Sequence, residues 1–334
     1  MKKKYFILLT FLLYSVFFAQ QKIVIPMDVR QTNHLKAYGI AYWALEHNIQ
    51  VDWMLNYRGG SFLSDNVALL ANECRIRGVA FEEISGAQAA QLSAEIAGEE
   101  TNMEMVRLEK APKIAVYVPP GFKPWDDAVT LALEYAEIPY KKLWDDEVLQ
   151  GKLSDYDWLH LHHEDFTGQY GKFYASHRAA PWYIEQQITY ERKAHELGYK
   201  KVADEKKAVA RSIRDFVASG GFMFAMCSAT DSYDIALAAE GVDIADVMYD
   251  GDPPDRNAQQ KLDFSKCFTF QNFTIEMNPL RYEYSDIDNP PSDPVPLRDP
   301  NTDYFTLFEF SAKYDPVPTM LTQNHTNIVK GFMG

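Results

Sequence analysis

The sequence predicts an α/β fold: an open parallel sheet with helices on both faces and an irregular C-terminal extension. Three observations predict it. Short apolar runs alternate with helix-spaced segments from Lys22 to Glu240, the order that builds parallel sheets. The strand-like runs end at loops rich in Gly, Pro or polar residues. After Gly251 the texture changes, with Pro253-Pro254, Pro290-Pro291, Pro294 and Pro296 marking long loops. The chain has 334 residues, 47% hydrophobic and 24% charged, a globular balance that allows two domains with a sizeable core.

In chain order, Lys2, Lys3 and Lys4 precede an apolar run from Phe6 to Phe18, and Ala19 precedes Gln20 and Gln21. This reads as a secretory signal peptide over residues 1–19, with an uncleaved anchor as the alternative. The expected location is therefore periplasmic or secreted, with no membrane span after signal removal. Losing residues 1–19 removes three lysines and no acid, moving the net charge from −14 to −17. Such a charge repels phosphate backbones, so nucleic acid is not an expected partner.

Lys22–Asp28 reads as a buried strand, His34–His47 as a helix and Val51–Tyr57 as a strand. Arg58-Gly59-Gly60-Ser61 reads as a loop, residues 65–76 as a helix, Gly78–Ile84 as a strand and Ala87–Ala97 as a helix. This β-α-β order predicts a parallel N-terminal unit over residues 20–110. The order restarts over 111–250. Lys113–Val118 is a strand, Trp125–Ala136 a helix, Tyr140–Trp144 and Asp157–His162 strands, and Trp182–Leu197 and Lys206–Ala218 helices. Phe222–Met226 is a buried strand and Thr230–Glu240 a helix. Both units open Lys-Ile and later reach Leu-Glu (Leu45-Glu46 and Leu133-Glu134), which suggests a duplicated βαβ unit. Residues 251–334 form the extension, with strand-like pieces at 267–276, 304–311 and 318–323. Asn327–Gly334 reads as the start of a further element, so the natural chain is expected to continue past Gly334.

Cys227 carries the most suggestive chemistry. A strand delivers it to a tight turn, with small residues Ala225 and Ala229 two positions either side, the spacing of a nucleophile elbow. The N–H groups of the following helix, near Ser228 and Thr230, then face the thiol and form an oxyanion hole. The competing reading is a buried structural thiol. If Cys227 is free, Cys74 and Cys267 remain as the pair for a disulfide in an exported protein.

The densest polar cluster is His160, His162, His163, Glu164 and Asp165. It ends a strand, at the carboxyl edge where open α/β sheets bind ligands. On a strand, His160 and His162 face one side and His163 the other. Three roles compete: a base for Cys227, a zinc site from His160 and His162 with Glu164 or Asp165, or hydrogen bonds around a ligand pocket. Arg58 and Gly60 end an N-terminal strand, where Arg58 either clamps a carboxylate or is a solvated loop residue. Trp125, Trp182 and Tyr183 are candidates for a sugar platform.

The Ile114–Val118 strand with its helix, the Tyr156-Asp157 approach, the Phe216-Val217-x-x-Gly220-Gly221 run and Cys227 together carry a resemblance. Residues 113–240 resemble the class I glutamine amidotransferase-like fold, a flavodoxin-like arrangement. The resemblance implies a Cys nucleophile served by a His base. Members with glutaminase activity have Gly-x-Cys-x-Gly and a later His-Pro-Glu; here alanines replace both glycines, and His325, without Pro-Glu, is the sole later histidine. The whole chain also resembles exported bacterial proteins labelled asparagine synthetase B, although the Ser-Gly-Gly-x-Asp-Ser loop of true members is absent from it. The expected function is a Cys-dependent amide hydrolase using Cys227 and one of His160, His162, His163 or His325. The alternatives are a sugar- or peptide-binding protein of the same fold and a metal-dependent hydrolase. The expected partner is a small-molecule, sugar or peptide ligand, and no cofactor is expected.

Overall fold

A computed structural model describes residues 21–121, 127–287 and 329–333. The expected signal segment over residues 1–19, Trp125, His325 and the strand-like pieces expected at 304–311 and 318–323 lie outside the described residues. The chain divides after Lys110 into two units.

The first unit corrects the expectation of a parallel sheet. Its strands are β1 (Lys22–Ile25), β2 (Val51–Leu55), β3 (Phe62–Asp65), β4 (Glu82–Ile84) and β5 (Glu104–Leu108). They pair in the order β4-β1-β3-β2-β5, and every pair is antiparallel. The reason is the 56–61 link. A parallel return needs a crossover of about a dozen residues. Here Asn56, Arg58, Gly59 and Gly60 all take positive φ, and the chain folds straight back, setting Trp53 opposite Phe62. Gly59 is required there, because a Cβ would lie 2.5 Å from the Met27 carbonyl oxygen. What reads as a loop is thus a tight turn between paired strands. β3 and β5 escape a reading that seeks one strand per helix. The strand expected from Gly78 begins only at Glu82, because Gly78 at φ 69 caps the preceding helix.

Helices α1 (His34–Glu46) and α2 (Ala68–Arg77) share one core with Ile23, Ile25, Val51 and Phe62. Asn33 caps α1 through the Lys36 N–H. Helix α3 (Gly86–Ile96) opens on a capping box made by Ser85 and Gln88. It packs Leu92 and Ile96 against Val24, Met54 and Leu63, which form a separate core.

The second unit holds a four-stranded parallel sheet. Its strands are β6 (Ile114–Tyr117), β7 (Tyr140–Leu143), β8 (Trp158–Leu161) and β9 (Phe222–Ala225), in the order β7-β6-β8-β9. The two units are therefore not copies of one βαβ motif. The helices among the described residues are α4 (Ala128–Ala136), α5 (Asp145–Leu149), α6 (Tyr174–His177), α7 (Pro181–Glu196), α8 (Val202–Ala218), α9 (Ser228–Ala238), α10 (Val247–Asp250) and α11 (Ala258–Lys261). Ala115, Tyr117, Leu159 and Leu161 pack with Val148 of α5, Val209 and Ile213 of α8, and Tyr233 of α9. Burying each large side chain of this kind contributes about 1.5–3 kcal/mol. A right-handed crossover from β6 to β7 puts α4 on the opposite face from α5 and α8, because the chain moves the other way from β7 to β8.

Two further readings change. β9 is an edge strand and not a buried one, with Phe222 and Phe224 exposed on one face. In the extension, the strand expected at 267–276 is reduced to isolated bridges, Phe270 to Phe332 and Ile275 to Ser285. Asp234 of α9 anchors this region by accepting the N–H groups of Phe268, Thr269 and Phe270. These bonds hold Phe270 and Phe273 in a core with Ile235.

The core of the second unit also buries a charge that the sequence does not announce. Lys206 donates to Asp145 at 2.7 Å and to the Tyr117 hydroxyl at 3.0 Å. Its ammonium lies 3.8 Å from the centre of the Trp144 ring. All three cysteines are free thiols, so the expected Cys74–Cys267 pairing gains no support. Cys74 is in the core of the first unit, and Cys267 of the second donates to the Asp234 carbonyl.

Candidate active site

Strand order locates the site. The chain runs from β6 to β7 in one direction and from β7 through β8 to β9 in the other. The carboxyl ends of β6 and β8 therefore flank the point where the order reverses, the position at which open parallel sheets leave a crevice. Asp127 follows β6 as the cap of α4. His162, His163 and Glu164 follow β8, and Cys227 follows β9.

Cys227 has φ 54 and ψ −141 and immediately precedes α9. A non-glycine residue held at such a conformation stores about 1–3 kcal/mol of strain. The strain follows from the close approach that small neighbours permit: Ala229 is fully buried, and its N–H donates to the His162 carbonyl at 3.3 Å. The Met226 N–H donates to the Leu161 carbonyl at 3.1 Å, so the ladder between β8 and β9 continues up to the turn. The thiol is exposed. Among the described residues no side chain hydrogen-bonds its Sγ. The Thr230 N–H and hydroxyl both donate to the Cys227 carbonyl, so Thr230 shapes the turn. Ser228 is the first helical residue, and its N–H has no acceptor among the described residues.

The histidines sort differently from a strand alternation. β8 ends at Leu161, so His162 and His163 leave the pleat and turn to the same carboxylate. His162 Nδ1 is 2.5 Å from Asp127 Oδ2, and His163 Nδ1 is 3.1 Å from His162 Nδ1 and 3.6 Å from the same Asp127 oxygen. The other Asp127 oxygen accepts the Val129 and Thr130 N–H groups at 2.7 and 3.0 Å. Burial alone raises the Asp127 pKa, but the His162 bond and these amides outweigh it and hold the carboxyl below its usual range. His163 is lowered by loss of solvent around its ring and by the charge of His162.

His160 does not join them. It sits within β8 and stacks on Phe224 at 5.6 Å, with both ring nitrogens buried and unpartnered. Burial lowers its pKa to about 4. Glu164 accepts the His162 N–H at 2.8 Å through one oxygen, and its other oxygen is buried without a partner. Burial pushes the Glu164 pKa up to about 8, so at neutral pH it is largely the uncharged acid. The trio His160, His162 and Glu164 therefore does not converge. The convergent set is Asp127, His162 and His163.

Other candidates are occupied elsewhere. Asp165 spends both oxygens on its own loop, accepting from Thr167 and the Gly171 N–H. Arg58, in the first unit, donates to Asp28 at 2.6 Å and to Glu82 through both terminal nitrogens. Gly60 shapes the same turn, its carbonyl accepting from the Trp53 indole. Asp127 is the residue that sequence reading misses. Its signal was present: an Asp three residues before Thr130 at a helix start is a capping pattern.

No family model, no curated protein and no solved structure matches this chain.

Proposed function

We propose that the second unit is an exported, amidotransferase-like thiol hydrolase acting on an amide. The observation that carries this reading is an exposed cysteine at positive φ on a strand-to-helix turn, with an Asp127–His162 pair held on the neighbouring strand end. The strand order supports the amidotransferase-like class, since β7-β6-β8-β9 reproduces the first four strands of the flavodoxin-like order. The positively charged Lys2–Lys4 region and the apolar run after it support export.

In this reading Asp127 fixes His162 through Nδ1, leaving Nε2 as the basic atom. His162 takes the proton from Cys227 as Sγ attacks the amide carbonyl, through a contact that forms when substrate binds. The Ser228 N–H stabilises the oxyanion, helped by the positive end of α9. Collapse breaks the C–N bond, and the amine leaves with the proton from His162. Water, deprotonated by His162, then cleaves the thioester and regenerates the thiol.

Iodoacetamide labelling at neutral pH tests the assignment. Cys227 is expected to react faster than a simple thiol. Cys74 and Cys267 are expected to lag, since burial pushes both to about 12. His162→Ala is expected to slow the labelling. A Cys227 that labels no faster than a free thiol, together with no ammonia release from a panel of primary amides, overturns the proposal.

A further inference from the structure

Asp127 Oδ2, His162 Nδ1 and His163 Nδ1 converge at the switch point, within 3.6 Å of one another. A single cation takes a lone pair from all three at once.

The geometry points to a divalent transition-metal site, of the zinc class, formed by Asp127 Oδ2, His162 Nδ1 and His163 Nδ1, whose occupancy switches the neighbouring thiol site off. Tetrahedral zinc with bonds of about 2.0–2.2 Å holds its ligand atoms about 3.3–3.6 Å apart. The three separations here are 2.5, 3.1 and 3.6 Å. A point roughly 0.9 Å above their plane lies about 2.05 Å from each atom, close to the height of zinc over three of its ligands. The Asp127–His162 edge must open from a hydrogen bond to a ligand spacing, and the His162–His163 edge, at 3.1 Å, by a few tenths of an ångström. Two imidazoles and one carboxylate suit zinc over magnesium or calcium, which prefer oxygen alone.

The surroundings already orient the ligands. The second Asp127 oxygen is held by the Val129 and Thr130 amides. The His162 backbone is held by Glu164. Such outer contacts characterise built metal sites. His163 is exposed and Asp127 buried, so a metal enters from the His163 side and keeps a position for water. A metal on Nδ1 of neutral His162 leaves the ring hydrogen on Nε2, so the ring has no lone pair with which to take the Cys227 proton. This regulatory consequence rests on the hydrolase reading above; the metal site itself does not.

The full-length protein, stripped with chelator, is titrated with cobalt(II) and then with zinc(II) in competition. A visible cobalt absorption saturating at one metal per chain is expected, displaced by zinc. His163→Ala and Asp127→Asn are expected to weaken binding by at least about 10–100-fold, the range seen for disturbed metal sites. Cys227→Ser is expected to leave the spectrum unchanged. His163 is exposed, so its variant folds, and Asn at 127 preserves the helix cap. No cobalt spectrum at millimolar metal, or a spectrum that survives both ligand variants, overturns the site. Amide turnover is then compared in stripped and zinc-loaded protein. Equal turnover overturns the regulatory part. Stoichiometric metal with no turnover in either form supports the site and sinks the hydrolase reading alone.

Discussion

The two units begin alike and end differently. Each opens with Lys-Ile, at Lys22-Ile23 and Lys113-Ile114, and each passes through a helix containing Leu-Glu. In the first unit the chain turns back within a few residues, and its five strands alternate in direction. β1 and β2 run one way and β3, β4 and β5 the other, so the ends of β1 and β2 and the start of β4 share one edge, where Arg58 meets Asp28 and Glu82. In the second unit helices separate the strands, all four run the same way, and three strand ends deliver Asp127, His162 and Cys227 to one edge. Both units gather polar residues at a sheet edge: in the first the charges pair with one another, and in the second the Asp127–His162 pair shares its edge with an exposed thiol.

The buried charges give the largest contrast. Lys206→Met leaves Asp145 buried with its ammonium partner gone, and is expected to destabilise the second unit by about 3–5 kcal/mol in urea unfolding. A loss below about 1 kcal/mol would show that this ion pair is not what holds α5 to α8.

Lys172 sharpens the same contrast through pH. It is fully buried and donates to Gln169 and to the Glu276 and Asn278 carbonyls, and burial lowers its pKa to about 8. Between about 8 and 10.5 the unfolded chain binds the proton that the folded chain has released. Stability from this group therefore rises with pH across that window and is absent below it, with a slope of at most about 1.4 kcal/mol per pH unit. The measurement is the difference in stability slope between wild type and Lys172→Met. No difference would place Lys172 in contact with water.

The turn that sets the first unit's strand direction is the next target. Gly59→Ala places a Cβ against the Met27 carbonyl at positive φ, and a loss of about 2–3 kcal/mol is expected. Hydrogen exchange is expected to show the loss confined to residues 22–65, with the second unit's protection unchanged.

The smallest effect belongs to Arg58. Its partners are partly solvated, so Arg58→Met is expected to cost no more than about 1 kcal/mol. Charge clusters of similar appearance in the two units thus differ several-fold in their contribution. A loss as large as that of Lys206→Met would remove the distinction.

The apolar runs Ile114–Tyr117 and Phe222–Ala225 are visible as strands in the sequence, and most helices begin or end within a few residues of their expected bounds. The small residues around Cys227 also anticipate the strained turn. β3 and β5 are less visible, because Phe62–Asp65 and Glu104–Leu108 mix apolar and charged residues, and because β3 follows β2 with no α-helix between them. His160 shows the limit at the site. By alternation it pairs with His162, yet β8 ends between them, and His162 follows the turn toward Asp127 while His160 stays under Phe224.

The sequence by itself determined most of the helices, the apolar strands of the second unit, and that Cys227 stands on a tight turn. Those properties depend on neighbours a few residues away, through the periods of helix and strand. The tertiary structure alone decided strand direction, the burial of Lys206 on Asp145 and the meeting of Asp127 with His162. Those partners lie 61 and 35 residues apart. Hydrophobic periodicity specifies which side of a segment is buried, but not which neighbour it is buried against.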